Sequence, residues 1–373
     1  MAELHLYFPE NDLALAAGVA SYTPPPAALQ LHRAGEALPL WYARPADRFI
    51  CSGINARWLA TMCHTFAIAD VDVYDHRDPD LTPAPWGWSA ASRRAFVDAG
   101  YPAGQLPDDA ELTRFRELSH RRTAMLLARE LRERLPFSTA APAEEATTPA
   151  QVEEYMRRAG TGAVIAKAPW SSSGRGLVRG RNMPREAFLQ QAAGIIRRQG
   201  SVMLEREWDK TADFALLLDI AADGTATRRG FSLFETNARG GYTANVLAPQ
   251  PDIEARIGRF CDLAQLHEAC DLIATLLPPL VAGYSGPLGI DMLATADGTI
   301  DAAVEINLRR TMGFVALDFA RFLAPGATGT LAVLPRPEAA AAAATVENHL
   351  LAAGQLDLTP ANPHFAFRAT IEP

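Results

Sequence analysis

The sequence has few cysteines, no long apolar run and no excess of basic residues, and each lack excludes a class of protein. Its four cysteines, Cys51, Cys63, Cys261 and Cys270, form no C-x-x-C pair, so we expect reduced thiols and a cytoplasmic location. The formal net charge of −8 argues against nucleic acid as a partner, which would need a basic face. The longest apolar run, residues 272–283, is too short to span a bilayer, so no membrane partner is expected. The N-terminal residues lack the basic segment of a signal peptide.

Several common catalytic motifs are also missing. The eight histidines form no H-E-x-x-H pair, which leaves no zinc-protease signature. The serine run 171–173 is not set in G-x-S-x-G, and this weakens a hydrolase interpretation. No P-loop motif is present, and the glycines near residue 174 miss the dinucleotide-binding spacing. Any phosphate site must therefore be built differently.

The first 117 residues alternate short strands with helical segments. Apolar strand patterns occur at 4–8, 48–53 and 71–75, and helical patterns follow the first two. Such alternation predicts a parallel α/β sheet. We therefore expect an N-terminal Rossmann-like domain over residues 1–117.

The rest of the chain predicts α+β structure with mainly antiparallel sheets. Asp-Gly pairs between apolar strands mark hairpin turns, as at Asp297-Gly298. A helical tract is expected over 254–282 and another helix over the alanine run 339–344. The last residues, FAFRATIEP, suit either a final strand or a tail that crosses to a partner. The expected divisions are a small subdomain at 118–200, a larger one at 201–335 and a C-terminal extension at 336–373.

The stretch KAPWSSSGRGL (167–177) places a lysine at the end of a strand, followed by serines and glycines. These small residues make a loop whose N–H groups can approach a ligand closely, while a lysine supplies a point charge. The combination suits a polyphosphate. The alternative is a surface loop beside an exposed lysine.

A second group of residues suits a metal ion. Asp291 lies on one predicted strand, and Glu305 and Asn307, two residues apart, share a face of the next. Two carboxylates and an amide oxygen form a hard-oxygen set for Mg²⁺. A tight turn at residues 297–298 would pair Asp291 with Val304 and leave Asp291 on the face opposite Glu305. The set therefore requires a bulge or an odd-length loop in the hairpin. The alternative is a polar outer face of a hairpin.

In this order the motifs resemble the ATP-grasp superfamily. The resemblance covers roughly residues 118–330: a strand with its lysine and small-residue loop, then LEREW, then G-I-D, then E-I-N after an Asp-Gly hairpin. It implies that ATP is gripped between two α+β subdomains, behind a Rossmann-like domain. Members of that superfamily mostly join a carboxylate to an amine through an acyl phosphate.

The resemblance also implies roles for individual residues. Lys167 matches the lysine on the phosphate and adenine side, and Glu205 matches the hinge residue at the adenine edge. Trp208 matches the apolar group that packs against the adenine ring. Asp213 matches the acidic residue that bonds the ribose hydroxyls. The loop from Ser171 through Ser172, Ser173, Gly174, Arg175 and Gly176 matches the cover over the phosphates. Asp291, Glu305 and Asn307 match the metal ligands.

Basic residues complete the predicted site. Arg309, and with it Arg310, follows E-x-N and is similar to the group that contacts the reacting phosphate or carboxylate. Arg239 suits either the γ-phosphate or an exposed position beside a Gly-Gly turn. The family often has a lysine where this chain has His120-Arg121-Arg122, so arginine would replace its charge there. Asn11 and Asp12 suit either a ligand at the end of the first strand or, more simply, a helix cap.

The expected function is that of an ATP- and Mg²⁺-dependent ligase acting on a small carboxylic acid and an amine. Two alternatives stay open, an ATP-grasp kinase that phosphorylates a small molecule and a catalytically silent nucleotide-binding protein. The sequence names neither substrate. It also leaves the oligomeric state open, with a homodimer as one option.

Overall fold

The computed structural model describes residues 2–76, 80–159, 164–171, 176–181, 183–237, 240–335 and 343–372. Within these ranges the strands form one four-stranded parallel sheet and two antiparallel sheets, of nine and four strands. The expected combination of an α/β part with mainly antiparallel α+β parts is confirmed. No helix in the described ranges is long and apolar enough to cross a membrane.

The N-terminal sheet is parallel, as the strand–helix alternation predicts. Its strands are β1 Glu3–Leu6, β2 Arg48–Phe49, β3 Asp72–Val73 and β4 Thr82–Pro85, and they lie in the order β3-β2-β1-β4. The helices of this part are α1 Asn11–Ala17, α2 Pro26–Gly35, α3 Ala56–Thr65, α4 Ala90–Asp98 and α5 Asp109–Leu118. Ligands of such sheets bind beyond the carboxyl ends of the strands, so the segment that joins β1 to α1 is well placed for a site.

A small antiparallel sheet follows. Its elements are α6 Arg122–Arg134, β5 Glu144–Ala146, α7 Pro149–Ala159, β6 Val164–Lys167, β7 Leu177–Arg179, α8 Arg185–Gln199 and β8 Val202–Arg206. The strands lie in the order β5-β8-β6-β7, and α7 and α8 pack against them around Val152, Phe188 and Ile195. Although β8 follows residue 200, it pairs with β5 and β6. The domain boundaries at 117, 200 and 335 stay predictions.

The nine-stranded sheet carries the rest of the chain. Its strands are β9 Lys210–Ile220, β10 Ala226–Thr236, β11 Tyr242–Leu247, β12 Gly286–Thr295, β13 Ile300–Asn307, β14 Gly329–Pro335, β15 Thr345–Glu347, β16 Leu350–Asp357 and β17 Phe365–Ile371. They lie in the order β13-β12-β9-β10-β11-β14-β17-β16-β15. The helices are α9 Gln250–Ile257, α10 Leu263–Leu280 and α11 Met312–Phe319.

Helices cover both faces of this sheet at β9, which explains the continuous apolar run in its sequence. Phe214 and Leu216 share a core with α6 and α10, whereas Ala215 and Leu217 pack with Phe314 of α11. Because side chains alternate along a strand, a strand buried on both faces needs apolar residues at every position.

One sequence expectation for a helix is wrong, and a second is contradicted at the two of its residues that the structure describes. The tract 254–282 is two helices rather than one, because α9 ends at Ile257 and the Asp262 side chain caps a new helix by accepting from Ala264 and Gln265 N–H. In the alanine run, Ala343 and Ala344 have no helical structure; residues 339–342 lie outside the described ranges.

The C-terminal residues form a strand that pairs within the chain, the first of the two options that the sequence left. β17 pairs with β14 along its whole length. Phe367 of β17 is fully buried against Tyr7, in the same core as Trp41 of the N-terminal part. The C-terminal strands therefore complete the N-terminal core.

Candidate active site

The hairpin of β12 and β13 brings together the three residues expected to bind metal. Asp291 pairs directly with Glu305, and Gly289 pairs with Asn307. Nearer the turn, Leu293 pairs with Asp301, so the register shifts between the two regions. Ala294 pairs with Ile300, so the loop is odd in length, and this alone places Asp291 and Glu305 on one face. The register shift, which moves the pairing by two residues, then sets the two carboxylates directly opposite each other. As a result Asp291, Glu305 and Asn307 line one cavity of about 490 Å³.

The two carboxyl groups of the hairpin share a partly buried environment. Burial, and then the charge of Glu305, raise the pKa of Asp291 to about 7, while Arg309 and a hydrogen bond from the Asn307 side chain oppose the rise. Glu305 forms an ion pair with Arg121 at 2.8 Å. The site therefore holds more negative charge than its arginines offset, and a divalent cation would stabilise it.

Arg121 is the residue of the His120-Arg121-Arg122 segment that reaches the cavity wall. Besides Glu305, its guanidinium donates to the Ala168 carbonyl and to the Ser171 hydroxyl, both at 3.1 Å. It therefore connects the hairpin to the loop after β6. Arg122 instead binds Glu145, away from the hairpin. Sequence reasoning marked this segment only as a departure from the family.

Arg309 lines the same cavity and is held there by Asp12. Its Nε and Nη2 donate to the Asp12 carboxylate at 3.0 and 2.7 Å. The helix-cap interpretation of Asn11 and Asp12 is wrong, because Glu10 precedes α1 and no side chain caps its first turn. Asp12 instead positions Arg309, which lies far along the chain.

Arg310 lies in a different environment. Its guanidinium stacks over Tyr42 at 4.1 Å and forms an ion pair with Asp318 at 3.3 Å. Its backbone N–H donates to the Trp86 carbonyl at 2.6 Å. The structure does not place Arg310 among the residues that line the cavity, so its expected contact with substrate is not supported by the geometry.

Lys167 and Glu205 face each other across neighbouring strands of the small sheet. Their side chains form an ion pair and are mostly buried. Both line a second, much smaller cavity together with Arg121 and Asp301. Asp301, which sequence reasoning missed, has its pKa raised to about 6 by burial and by the charge of Glu205. Its position four residues before Glu305 on the same strand was the only signal.

The structure does not bring the expected ribose and ring contacts into either cavity. Asp213 binds Lys210 and accepts from the Thr236 hydroxyl at 2.8 Å; Thr236, not Asp213, lines the large cavity. The Trp208 ring is half-buried under the guanidinium of Arg206, 4.7 Å from the ring centroid. It lines neither cavity described here.

Part of the predicted covering loop lies outside the described residues. Ser172, Ser173, Gly174, Arg175 and Arg239 fall there. At the loop's described edges, Ser171 lines the large cavity. Gly176 has a φ of +73°, and its carbonyl accepts from the Ala168 N–H at 2.9 Å. A β-carbon at Gly176 would lie 2.9 Å from that of Ala168, so glycine is required where the loop returns to β7.

Comparisons with known proteins establish the fold. No family model and no curated protein matches the chain. A solved biotin carboxylase–β,γ-ATP complex from Campylobacter jejuni matches all of this chain and 88% of that one, at 11% identity and a TM-score of 0.55. An N5-carboxyaminoimidazole ribonucleotide synthetase from Thermus thermophilus matches 98% of this chain and 93% of that one, at 13% identity and a TM-score of 0.50. The chain therefore has the ATP-grasp fold, and the resemblance seen in its motifs is confirmed at the level of fold.

Proposed function

We propose that the protein is an ATP- and Mg²⁺-dependent ligase that joins a carboxylate to an amine through an acyl phosphate and releases ADP and phosphate. The observation that carries the proposal is the bulged hairpin, which sets Asp291, Glu305 and Asn307 on one wall of a cavity that also contains Arg309. The fold supports it. A third structure with the same fold is the biotin carboxylase domain dimer of the Hydrogenobacter thermophilus 2-oxoglutarate carboxylase, in complex with MgADP, ADP and bicarbonate. It matches 100% of this chain and 87% of that one, at 11% identity and a TM-score of 0.50.

The chemistry of the hairpin residues fits magnesium. Two carboxyl groups and an amide oxygen are available, and the pKa of Asp291 is raised first by burial and then by the charge of Glu305. Mg²⁺ accepts such a sparse oxygen set because it fills its remaining positions with water and phosphate oxygens. When bound, it would neutralise charge on the phosphates and help orient them.

The chain's own residues would position the reactants. Arg309, fixed by the bidentate contact with Asp12, presents its charge to the transferring phosphoryl group or to the carboxylate that attacks it. Arg121 holds Glu305 and is close enough to Ser171 to steady the loop after β6. Fixed positive groups stabilise the charge that develops in phosphoryl transfer, and positioning supplies most of the remaining rate acceleration.

The nucleotide would lie between the small sheet and the hairpin. Lys167 and Glu205 line the small cavity beside Asp301, and we assign them to the adenine side and the phosphates. The residues Ser172, Ser173, Gly174, Arg175 and Gly176 are proposed as the phosphate cover, and Asp213 and Trp208 as ribose and ring contacts that form only with nucleotide bound.

The size of the cavity favours a ligase over a binding-only protein. The proposed metal ligands line one part of the cavity of about 490 Å³. Tyr7, Glu10 and Trp86 of the N-terminal part line another part of it. This volume is within the usual range for a small-molecule site. A silent nucleotide-binding protein would need no such second chamber. A kinase would use it too, and only the products separate the two enzymes.

The test is release of ADP from MgATP in the presence of pooled small carboxylic acids and pooled amines. ADP that requires both pools identifies a ligase, whereas a phosphorylated product formed with one pool identifies a kinase. We expect Glu305→Gln to lower turnover about 10²- to 10³-fold while nucleotide binding is partly retained. Glu154→Gln, the same change at an exposed position of α7, is the matched control. Turnover of Glu305→Gln at the wild-type rate would show that the metal assignment is wrong.

A further inference from the structure

One end of the large cavity is apolar and is built from the C-terminal strands. Val333 pairs directly with Phe367, and Pro335 with Phe365. These four residues alternate along β14 and β17, so they share one face of the sheet, and all four line the cavity. They form a continuous apolar floor.

Helix α2 and the end of β4 form the opposite walls. Ala27, Ala28 and Leu31, which share one face of α2, line the cavity. The small side chains of the two alanines leave room between the helix and the sheet. Trp86 closes the space and is fixed edge-on against Tyr7, with 4.9 Å between ring centroids. The result is a slot of apolar and aromatic surface.

Among the described lining residues, one carboxylate, that of Glu10, lies at this apolar end. The side chain of Glu10 is only 2% exposed and lines the cavity. Its Oε1 forms a contact of 2.8 Å with His32 Nδ1. Its Oε2 is buried and has no hydrogen-bond partner among the described residues. A buried acceptor without a partner is costly, so a donor from a ligand would stabilise it.

Among the described residues, no cation contacts that oxygen. Arg309 is the one basic side chain among the described residues that line the cavity, and it is committed to Asp12. His32 is shared between Glu10 and Glu36, because its second ring nitrogen lies 3.8 Å from a Glu36 carboxylate oxygen. The apolar end therefore combines aromatic surface with one acceptor that is left open, an arrangement that attracts a positively charged donor.

We infer that this end of the cavity binds an ammonium group carried on an apolar, ring-sized body, with the ammonium on Glu10 and the ring between α2 and the floor of β14 and β17. The inference rests on the proposed function, because it names the chemistry of one substrate of that ligase. Two substrates share this chemistry: an amine that attacks the activated acid, and an amino acid whose own carboxylate is activated.

The test measures binding without turnover, using three probes in titration calorimetry in the presence of MgADP. 2-Phenylethylamine has both the charge and the ring, 2-phenylethanol lacks the charge, and ethylamine lacks the ring. We expect 2-phenylethylamine to bind at least tenfold more tightly than either of the others. Equal binding of 2-phenylethanol would overturn the role given to the carboxylate, and equal binding of ethylamine would overturn the role of the apolar slot.

Two variants and a control test the residues. Glu10→Gln keeps the size of the side chain and should weaken 2-phenylethylamine binding at least tenfold. Glu36→Gln removes the other carboxylate beside His32, which does not line the cavity, and should leave binding unchanged. Ala27→Phe should fill the slot and abolish binding while MgADP still binds, which shows that the protein is folded. Wild-type affinity in Glu10→Gln would overturn the inference.

Measurement of ADP release shows which of the two substrates carries the ammonium group. If the ammonium belongs to the attacking amine, 2-phenylethylamine supports ADP release only with added acids. If it belongs to an amino acid, L-phenylalanine replaces the acid pool. Glu10-dependent binding of 2-phenylethylamine with no ADP release under any condition would support the binding site and contradict the proposed function. ADP release that is unaffected by Glu10→Gln would support the function and contradict this site.

Discussion

The ionisation of Asp291 decides how the proposed metal site depends on pH. Its carboxyl group is buried and faces Glu305, so its pKa is raised to about 7. A metal ion binds the carboxylate and not the protonated acid, so protons and Mg²⁺ compete for this residue. The competition lies in a pH range that is accessible to a folded protein.

We therefore predict that Mg²⁺ affinity falls about tenfold between pH 8 and pH 6, because most Asp291 carboxyl groups are ionised at the upper pH and protonated at the lower one. Calorimetric titration with Mg²⁺ in the presence of ADP measures the change. The Asp291→Asn variant is the control: it should bind Mg²⁺ more weakly and with a smaller dependence on pH. A wild-type affinity that does not change over this range would contradict the assignment of Asp291.

The pair of Asp12 and Arg309 supports a prediction about turnover. Asp12→Asn keeps an oxygen acceptor but removes the negative charge. Arg309 should then shift towards Glu305 and Asp291, because the charges of both carboxylates already raise its pKa. We expect turnover to fall about 10- to 100-fold with little change in nucleotide affinity, because positioning is lost rather than binding. Steady-state kinetics and MgADP titration measure the two quantities.

The matched control is Asp98→Asn. Asp98 also pairs with an arginine, Arg94, but on the exposed surface of α4, where such a pair contributes little. It should leave turnover unchanged. An Asp12→Asn protein with wild-type turnover would show that Arg309 needs no fixed position.

At the residue scale, the sequence predicted local patterns and missed distant partners. The set of Asp291, Glu305 and Asn307 is visible because its members lie on adjacent strands of one hairpin. Asp12 and Arg309 are 297 positions apart, and no local spacing connects them. Arg121, which immediately precedes α6, and Glu305 of β13 are also far apart in the sequence, so only the folded chain shows that they meet.

At the scale of elements, close contact between α11 and β10 forms part of the cavity wall. Gly313 of α11 and Ser232 of β10 both line the cavity. A β-carbon at Gly313 would lie 2.7 Å from the Ser232 hydroxyl oxygen and 2.8 Å from its β-carbon. Glycine is needed there because the helix lies so close to the sheet.

We predict that Gly313→Ala lowers the free energy of unfolding by about 1–3 kcal/mol, since the helix must move away from the sheet. Denaturant unfolding measures the loss. Gly104→Ala is the control, because a β-carbon at Gly104 would meet nothing within 4 Å. Equal stability of the two variants would mean that α11 has room to adjust without cost.

Element prediction succeeded where one physical signal dominates. Asp-Gly turns between apolar strands correctly indicated the antiparallel hairpins of β9–β10 and β12–β13. The break at residues 258–262 was missed because apolar residues continue across it, and only the Asp262 cap marks the new start. Pro278 and Pro279 lie inside the last turn of α10, which continues to Leu280.

At the scale of the whole molecule, the C-terminal strands belong to the same core as the N-terminal sheet. Leu351 of β16 is fully buried with residues of the N-terminal part. The indole N–H of Trp41 donates to the Leu358 carbonyl at 2.5 Å. The order of the nine strands depends on such long-range contacts, which the sequence pattern does not contain.

We predict that Leu351→Ala lowers the free energy of unfolding by about 2–5 kcal/mol, as expected for a large apolar side chain removed from a core. Leu126→Ala, at a leucine of α6 that is 40% exposed, should cost less than about 1 kcal/mol. Thermal and denaturant unfolding measure the loss of stability in each variant. Similar losses would show that the C-terminal strands are dispensable to the core.

The cavity is lined by parts of the chain that are far apart in sequence, among them the segment after β1, the β12–β13 hairpin, β10 and the C-terminal strands. The most direct test of the proposed ligase follows oxygen from the acid to the phosphate. Acids labelled with oxygen-18 in the carboxylate are incubated with MgATP, the amine pool and the protein, and the released phosphate is analysed by mass spectrometry. An acyl phosphate intermediate predicts one labelled oxygen in each phosphate formed. Phosphate without label, released at the same rate as ADP, would contradict activation of a carboxylate and with it the central claim.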